Sequence, residues 1–282
     1  MKHASLFVLF VTLIGCGSAS QQNPSYQTTF SPPAESKAPK NFVQVIHVFV
    51  ALCDNVNQGI VPVSPSLGNG DDPQRNLYWG AAFGVKTFFN KSKDWQPVAI
   101  NSSSNKSSSV VLDRVAYKHR TANAFLVAEA YRGLYIRQAT EDFLLAAAGM
   151  PGESLIVSAD GIQIELHLGG SANLIAYTGH DGLMDFQLIS VPKKQNDEQR
   201  DAVILACASQ SYFAKALRPT GSKPLLWTTN LMAPEAYVLS AAIDGWLKHE
   251  TDEQIRVRAA KAYDAYQHCG IKSANALFAT GW

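Results

Sequence analysis

Two stretches, Leu174-Ile-Ala-Tyr-Thr-Gly-His180-Asp-Gly182 and Ala202-Val-Ile-Leu-Ala-Cys207-Ala-Ser209, decide how this chain is read. Each is an apolar run of strand length that stops abruptly, one at a histidine and the other at a cysteine. As parallel strands of one sheet they would place both side chains on the same carboxyl edge, where open α/β sheets collect ligands and reactive groups. The pair is therefore a candidate thiol nucleophile with its base. A cysteine nucleophile needs a base or a positive field beside it, and attack on a carbonyl needs backbone donors for the oxyanion that forms. Histidine titrates in the useful range and can return a proton to a leaving amine. Gly182 lets the main chain come close to a substrate carbonyl, and the Cys207 N–H is a second candidate donor.

Working outward, Phe42-Val-Gln-Val-Ile-His-Val-Phe-Val-Ala-Leu52 is almost continuously apolar and suits a central parallel strand buried on both faces. It breaks at Cys53-Asp54-Asn55, and Pro62, Pro65, Gly68, Gly70 and Pro73 mark a long irregular connection of the functional kind. Asp54 and Asn55 are candidate substrate-binding residues, an acid there favouring a basic residue before the scissile bond; the plainer reading is a loop-capping pair. Apolar spacing predicts a helix over 74–90, with strands at 95–100 and 110–117 on either side of the run Ser102-Ser-Ser-Asn-Lys-Ser-Ser-Ser109. Thr121 is read as the cap of a long helix through Ala148, closed by Gly149. Alternation around Asp160-Gly161 predicts a β-hairpin over 154–167. A helix over 209–217, a strand over 224–229, and helices opened by Pro234 and Thr251 follow, with Gly270 as a stop. The order predicts an α/β fold with a largely parallel central sheet flanked by helices.

The amino end stands apart. Met1-Lys2-His3 and the short apolar stretch Ala4 to Ile14 read as an export signal, too short to span a bilayer as a stable helix. Leu13-Ile14-Gly15-Cys16 resembles the lipobox of bacterial lipoproteins, which implies cleavage before Cys16, lipid on its sulfur and residence in the bacterial cell envelope. An ordinary signal peptide with an incidental cysteine is the alternative. The chain thus divides into a signal peptide over 1–15, a flexible Pro- and Ser-rich tether over 16–40 and a single α/β domain over 41–282. With 24 Lys+Arg against 23 Asp+Glu and no basic stripe among the aromatics, nucleic acid is not an expected partner. The expected membrane contact is the N-terminal lipid. Of the remaining cysteines, a Cys53–Cys269 disulfide is possible, and the odd count leaves at least one thiol unpaired. No Cys-x-x-Cys or His-x-x-x-His spacing points to a metal, and no cofactor is implied. Gly68-Asn-Gly-Asp71-Asp72 lacks the alternate ligands of a calcium loop, and Ser209 lacks a G-x-S-x-G elbow.

An apolar strand ending in histidine, followed by one ending in Ala-Cys with a small residue and then Ser, resembles the caspase-like (clan CD) cysteine peptidases, among them legumains, gingipains, metacaspases and caspases. Tyr177-Thr-Gly-His180 and Leu205-Ala-Cys207-Ala-Ser209 carry the resemblance. It implies a caspase-like three-layer sandwich with a β-hairpin insertion, and cleavage of a peptide or protein substrate. In that reading Cys207 is the nucleophile, His180 the acid/base and Gly182 lies near the oxyanion hole. One position departs from the family: glycine normally follows the histidine directly, and here Asp181 intervenes. The competing expectation is a non-catalytic envelope lipoprotein of the same fold that binds a peptide, glycan or protein.

Overall fold

The computed structural model describes residues 43–101 and 108–282, so the expected signal peptide and tether over 1–40, Cys16 among them, and residues 102–107 of the serine run lie outside the described residues. The apolar run after Phe42 forms β1 (Gln44–Ala51), whose alternation serves two cores. Ile46, Val48 and Val50 face one and Val45, Phe49 and Ala51 the other. A strand buried on both faces belongs at the centre of a sheet. β1 pairs in parallel with β4 (Ala124–Tyr131) on one side and β7 (Leu174–Thr178) on the other. β8 (Asp201–Leu205) and β9 (Lys223–Thr228) extend the parallel centre beyond β7.

Both wings are antiparallel. The short β10 (Phe278–Ala279) runs against β9. On the far side β3 (Val111–His119) runs against β4 and β2 (Trp95–Ile100) against β3. The hairpin of β5 (Pro151–Ala159) and β6 (Ile162–Gly169) extends the edge through the pairs Ala99–Ser158 and Ile100–Val157. Four pairings are parallel and five antiparallel, so the sheet is mixed and the expected parallel character is confined to its centre. The cause is connection length. Residues 120–123 join β3 to β4 by a turn, which allows only an antiparallel neighbour, whereas parallel neighbours need a crossover.

Helices cover both faces. α2 (Ile136–Ala147) and α3 (Ser209–Leu217) bury Phe143, Leu144, Phe213 and Leu217 against the face that carries Phe49 and Tyr177. α1 (Val85–Asn90), α4 (Ala236–Leu247) and α5 (Asp252–Gln267) bury Phe89, Val238, Leu239, Ile243 and Ile255 on the other. A further helix, α6 (Ile271–Leu277), leads into β10 and was not foreseen. Among the described residues no helix is long and apolar enough to cross a membrane.

Two expected helices are corrected. The first half of the 121–148 span is β4, a strand buried along its whole length, and only its second half is α2. A run buried on every side has no polar face, and periodicity cannot distinguish such a strand from a buried helix. Of the 74–90 span only Val85–Asn90 is α-helical. Asn76 holds the rest as a loop: its Oδ1 accepts from the N–H groups of Cys53 (3.0 Å) and Tyr78 (3.1 Å), and its Nδ2 donates to the carbonyls of Cys53 and Asn69.

Candidate active site

β7 and β8 run in register, with Thr178 opposite Leu205. His180 and Cys207 each lie two residues beyond that pair, at matched positions on strands that a sheet spaces about 4.8 Å apart. The Gly179 N–H still donates to the Leu205 carbonyl at 3.2 Å, which carries the pairing one residue past the strands. Glycine is required there: its φ is +150°, and a Cβ would lie 2.8 Å from the Ala51 carbonyl oxygen.

His180 is 6 % exposed. Its Nε2 bonds Asp185 Oδ2 at 2.8 Å, and the same oxygen accepts the Gly59 N–H at 2.9 Å. The Tyr177 hydroxyl donates to the His180 carbonyl at 2.8 Å. Nδ1 makes no hydrogen bond among the described residues, so one ring nitrogen is held and the other is uncommitted. Asp185 escaped the sequence reading. Its signal was a carboxylate five residues after the histidine, brought back by the short 3₁₀ turn Gly182–Met184. The Gly59 contact also ties the 53–73 loop to this turn.

Cys207 is half-buried. Its Sγ accepts the Met232 N–H at 3.4 Å and donates to the Met232 carbonyl at 3.5 Å, and no hydrogen bond joins it to the His180 ring. Burial pushes the thiol pKa up, the Met232 bond pulls it down, and the nearby charge of Asp181 raises it again. Ala208 then takes a left-handed conformation, φ 48° and ψ 32°, and turns the chain into α3. Ser209 is buried and structural: its Oγ donates to the Ile204 carbonyl at 2.9 Å and its N–H to Thr228 Oγ1 at 3.1 Å. The N–H groups of Cys207 and Gly182 have no acceptor among the described residues. Gly182 has no room for a side chain, since a Cβ would meet the Phe186 ring at 2.7 Å.

Asp181, the residue that departs from the family pattern, has no exposed surface. Its Oδ1 caps the 3₁₀ turn by accepting the Leu183 N–H at 3.0 Å, while Oδ2 has no partner. Burial pushes this carboxyl up to about 7, helped by the charge of Asp185.

Asp54 and Asn55 turn inward. Asp54 Oδ1 accepts the N–H groups of Val56 (2.9 Å) and Asn57 (3.1 Å), and Oδ2 accepts from the Asn57 amide at 2.8 Å. Asn55 makes reciprocal bonds with the Val63 main chain at 2.9 and 3.0 Å. Both side chains organise the loop that leaves β1, as the loop-capping reading has it. Cys53, Cys207 and Cys269 are all free thiols, so the possible Cys53–Cys269 bridge is not formed. Cys53 is fully buried and its thiol is pushed up to about 11, which makes it inert. The connections that follow β1, β7 and β9 carry exposed apolar side chains, among them Val56, Val61, Met184 and Leu231. Searches of protein-family models, curated proteins and solved structures find no match, so the functional reading rests on this geometry.

Proposed function

We propose that the chain is a lipid-anchored cysteine endopeptidase of caspase-like fold in the bacterial cell envelope. One observation carries the reading: His180 and Cys207 each stand two residues past the matched ends of adjacent parallel strands, with His180 held by Asp185. The finer fold assignment is supported by the His-then-Cys order along the carboxyl edge, the helices on both faces and the β5–β6 hairpin at the sheet's far side.

In this mechanism a peptide lies across the open edge. Cys207 gives its proton to His180 Nδ1, and the thiolate forms a bond to the scissile carbonyl carbon. The N–H groups of Gly182 and Cys207 receive the oxyanion. His180 then protonates the leaving amine as the C–N bond breaks, which leaves a thioester on Cys207. Water attacks that thioester, losing a proton to His180, and the acid leaves as the thiol is reformed. Asp185 orients the ring through Nε2 and stabilises the imidazolium. Asp54 and Asn55 contribute by shaping the loop that walls the site. Cys16 carries the lipid.

The test is competitive alkylation with iodoacetamide, read residue by residue. Cys207 should react faster than the exposed Cys269 at neutral pH, and Cys207→Ala should abolish cleavage of a mixed peptide library. If Cys207 reacts as slowly as the buried Cys53, the proposal fails. A second reading, a non-catalytic binding lipoprotein of the same fold, is favoured by the bonding of the resting thiol to Met232 and not to His180. Under that reading Cys207→Ala leaves activity in cells unchanged.

A further inference from the structure

On the α2 face of the sheet lies a cavity of about 310 Å³ between β1, β4, α2 and the two ends of the β5–β6 hairpin that join it to the body. Its charged lining is entirely acidic: Glu129, Asp142 and Glu153, beside the aromatic rings of Phe49 and Tyr131 and the imidazole of His47. No lysine or arginine lines it. The His47 Nδ1 accepts the Gly169 N–H at 3.1 Å, and its Nε2 bonds Glu129 Oε2 at 3.0 Å.

The three carboxylates of the lining meet one guanidinium behind the wall. Arg114 approaches from outside the lining and is shared between Glu129 and Glu153. Asp142 has neutral donors only, the Tyr131 hydroxyl at 3.0 Å on Oδ2 and the Gln138 amide at 2.7 Å on Oδ1. Partial burial pushes the Asp142 carboxyl up and Glu129 adds to it, against the Gln138 and Tyr131 hydrogen bonds and the His47 ring, which pull it down. A metal ion does not suit the site, since among the described residues no group of three His, Cys, Asp or Glu side chains is placed to hold one. The remaining walls, Leu145, Met150 and Leu168, are apolar.

We infer that this cavity binds a small organic ammonium, with its charged end against Asp142 and Glu129 and its apolar body against Phe49, Tyr131 and Met150. The volume suits a small-molecule ligand, and the apolar walls would cover its body. The cavity shares no lining residue with the candidate peptidase centre.

Isothermal titration of the full chain with benzylammonium, benzyl alcohol and benzoate tests this with probes of one shape and three charges. Benzylammonium should bind saturably and at least about tenfold more tightly than either of the others. Asp142→Asn keeps an acceptor for Tyr131, and should weaken benzylammonium about tenfold or more while leaving Cys207 alkylation unchanged. Leu145→Trp, at the half-open wall, should block binding in a second way if the first variant fails to fold. Equal binding of benzoate, absence of saturable binding, or full affinity in folded Asp142→Asn overturns the inference.

Discussion

Asp181 separates the histidine from its glycine, and its buried carboxyl makes two measurable demands. Folded, it holds its proton up to about 7 against an ordinary 3.8. The folded state therefore binds this proton more tightly than the unfolded chain does. The stability it contributes is complete below about pH 4 and is lost as the pH rises through about 7, a span worth roughly 4 kcal/mol at most. Asp181→Asn should flatten the dependence of urea midpoint on pH across that window; an unchanged slope would show that another group sets it. The same substitution removes a negative charge beside Cys207, so the pH midpoint for alkylating this thiol should fall. Glu129 works in the opposite sense. His47 and Arg114 outweigh the effect of burial and hold it down to about 2, so its contribution is present above about pH 4.5 and lost as the pH falls toward 2. The acid limb of the stability profile should thus survive Asp181→Asn.

At the scale of elements, the turn from β8 into α3 concentrates strain at one residue. Ala208 is an L-residue in the left-handed region immediately after the candidate nucleophile. That conformation costs roughly 1–2 kcal/mol for a residue with a Cβ, and the Ser209–Thr228 and Ser209–Ile204 bonds hold the turn. Ala208→Gly should raise the thermal midpoint by an amount equivalent to up to about 1 kcal/mol, and Ala208→Val should lower it. A stabilising valine would sink the claim of strain. Thr251 is the plainer case, since it forms a capping box with Gln254 at the start of α5, and Thr251→Ala should cost about 1 kcal/mol. That cap was legible in the sequence, as were β1, β7, β8, the Asp160-Gly161 hairpin and the strand ends bearing His180 and Cys207. Each rests on a local rule: an apolar run, a turn dipeptide, a hydroxyl before a helix. What was not legible depends on distant partners. β4 reads as helix because its polar exception, Glu129, is satisfied by His47 and Arg114 from neighbouring strands. Asp185 reads as surface until the turn after Gly182 folds it back onto His180. Residues 77 and 81 keep helical spacing in a loop that Asn76 organises from the end of β1.

Across the whole molecule, pairing and burial fall away from β1 toward the hairpin edge, and the opening free energies of the backbone should follow. β1 is paired on both sides along its length and lies between two cores. The β5–β6 hairpin joins the sheet through only two residue pairs with β2, and it is exposed at Ile162 and all along Pro151–Ser154. Its two ends differ in turn. The Gly169 end is fastened to β1 through the His47 imidazole, whereas the Asp160-Gly161 tip meets the body through Lys118, an exposed ion pair of the kind worth about 1 kcal/mol or less. Local opening needs only the contacts of the opening segment to break. Hydrogen exchange should therefore be fastest at Ala159–Ile162, slower at Leu166–Gly169 and slowest at Ile46–Val50, with the last group approaching the global unfolding free energy. Benzylammonium, seated against Asp142 and Glu129 as inferred, should slow exchange at Leu166–Gly169, whose Leu168 and Gly169 line the cavity, and leave the tip unaffected. Uniform exchange along the hairpin would mean that it opens as one unit and that the His47–Gly169 bond does not fasten it.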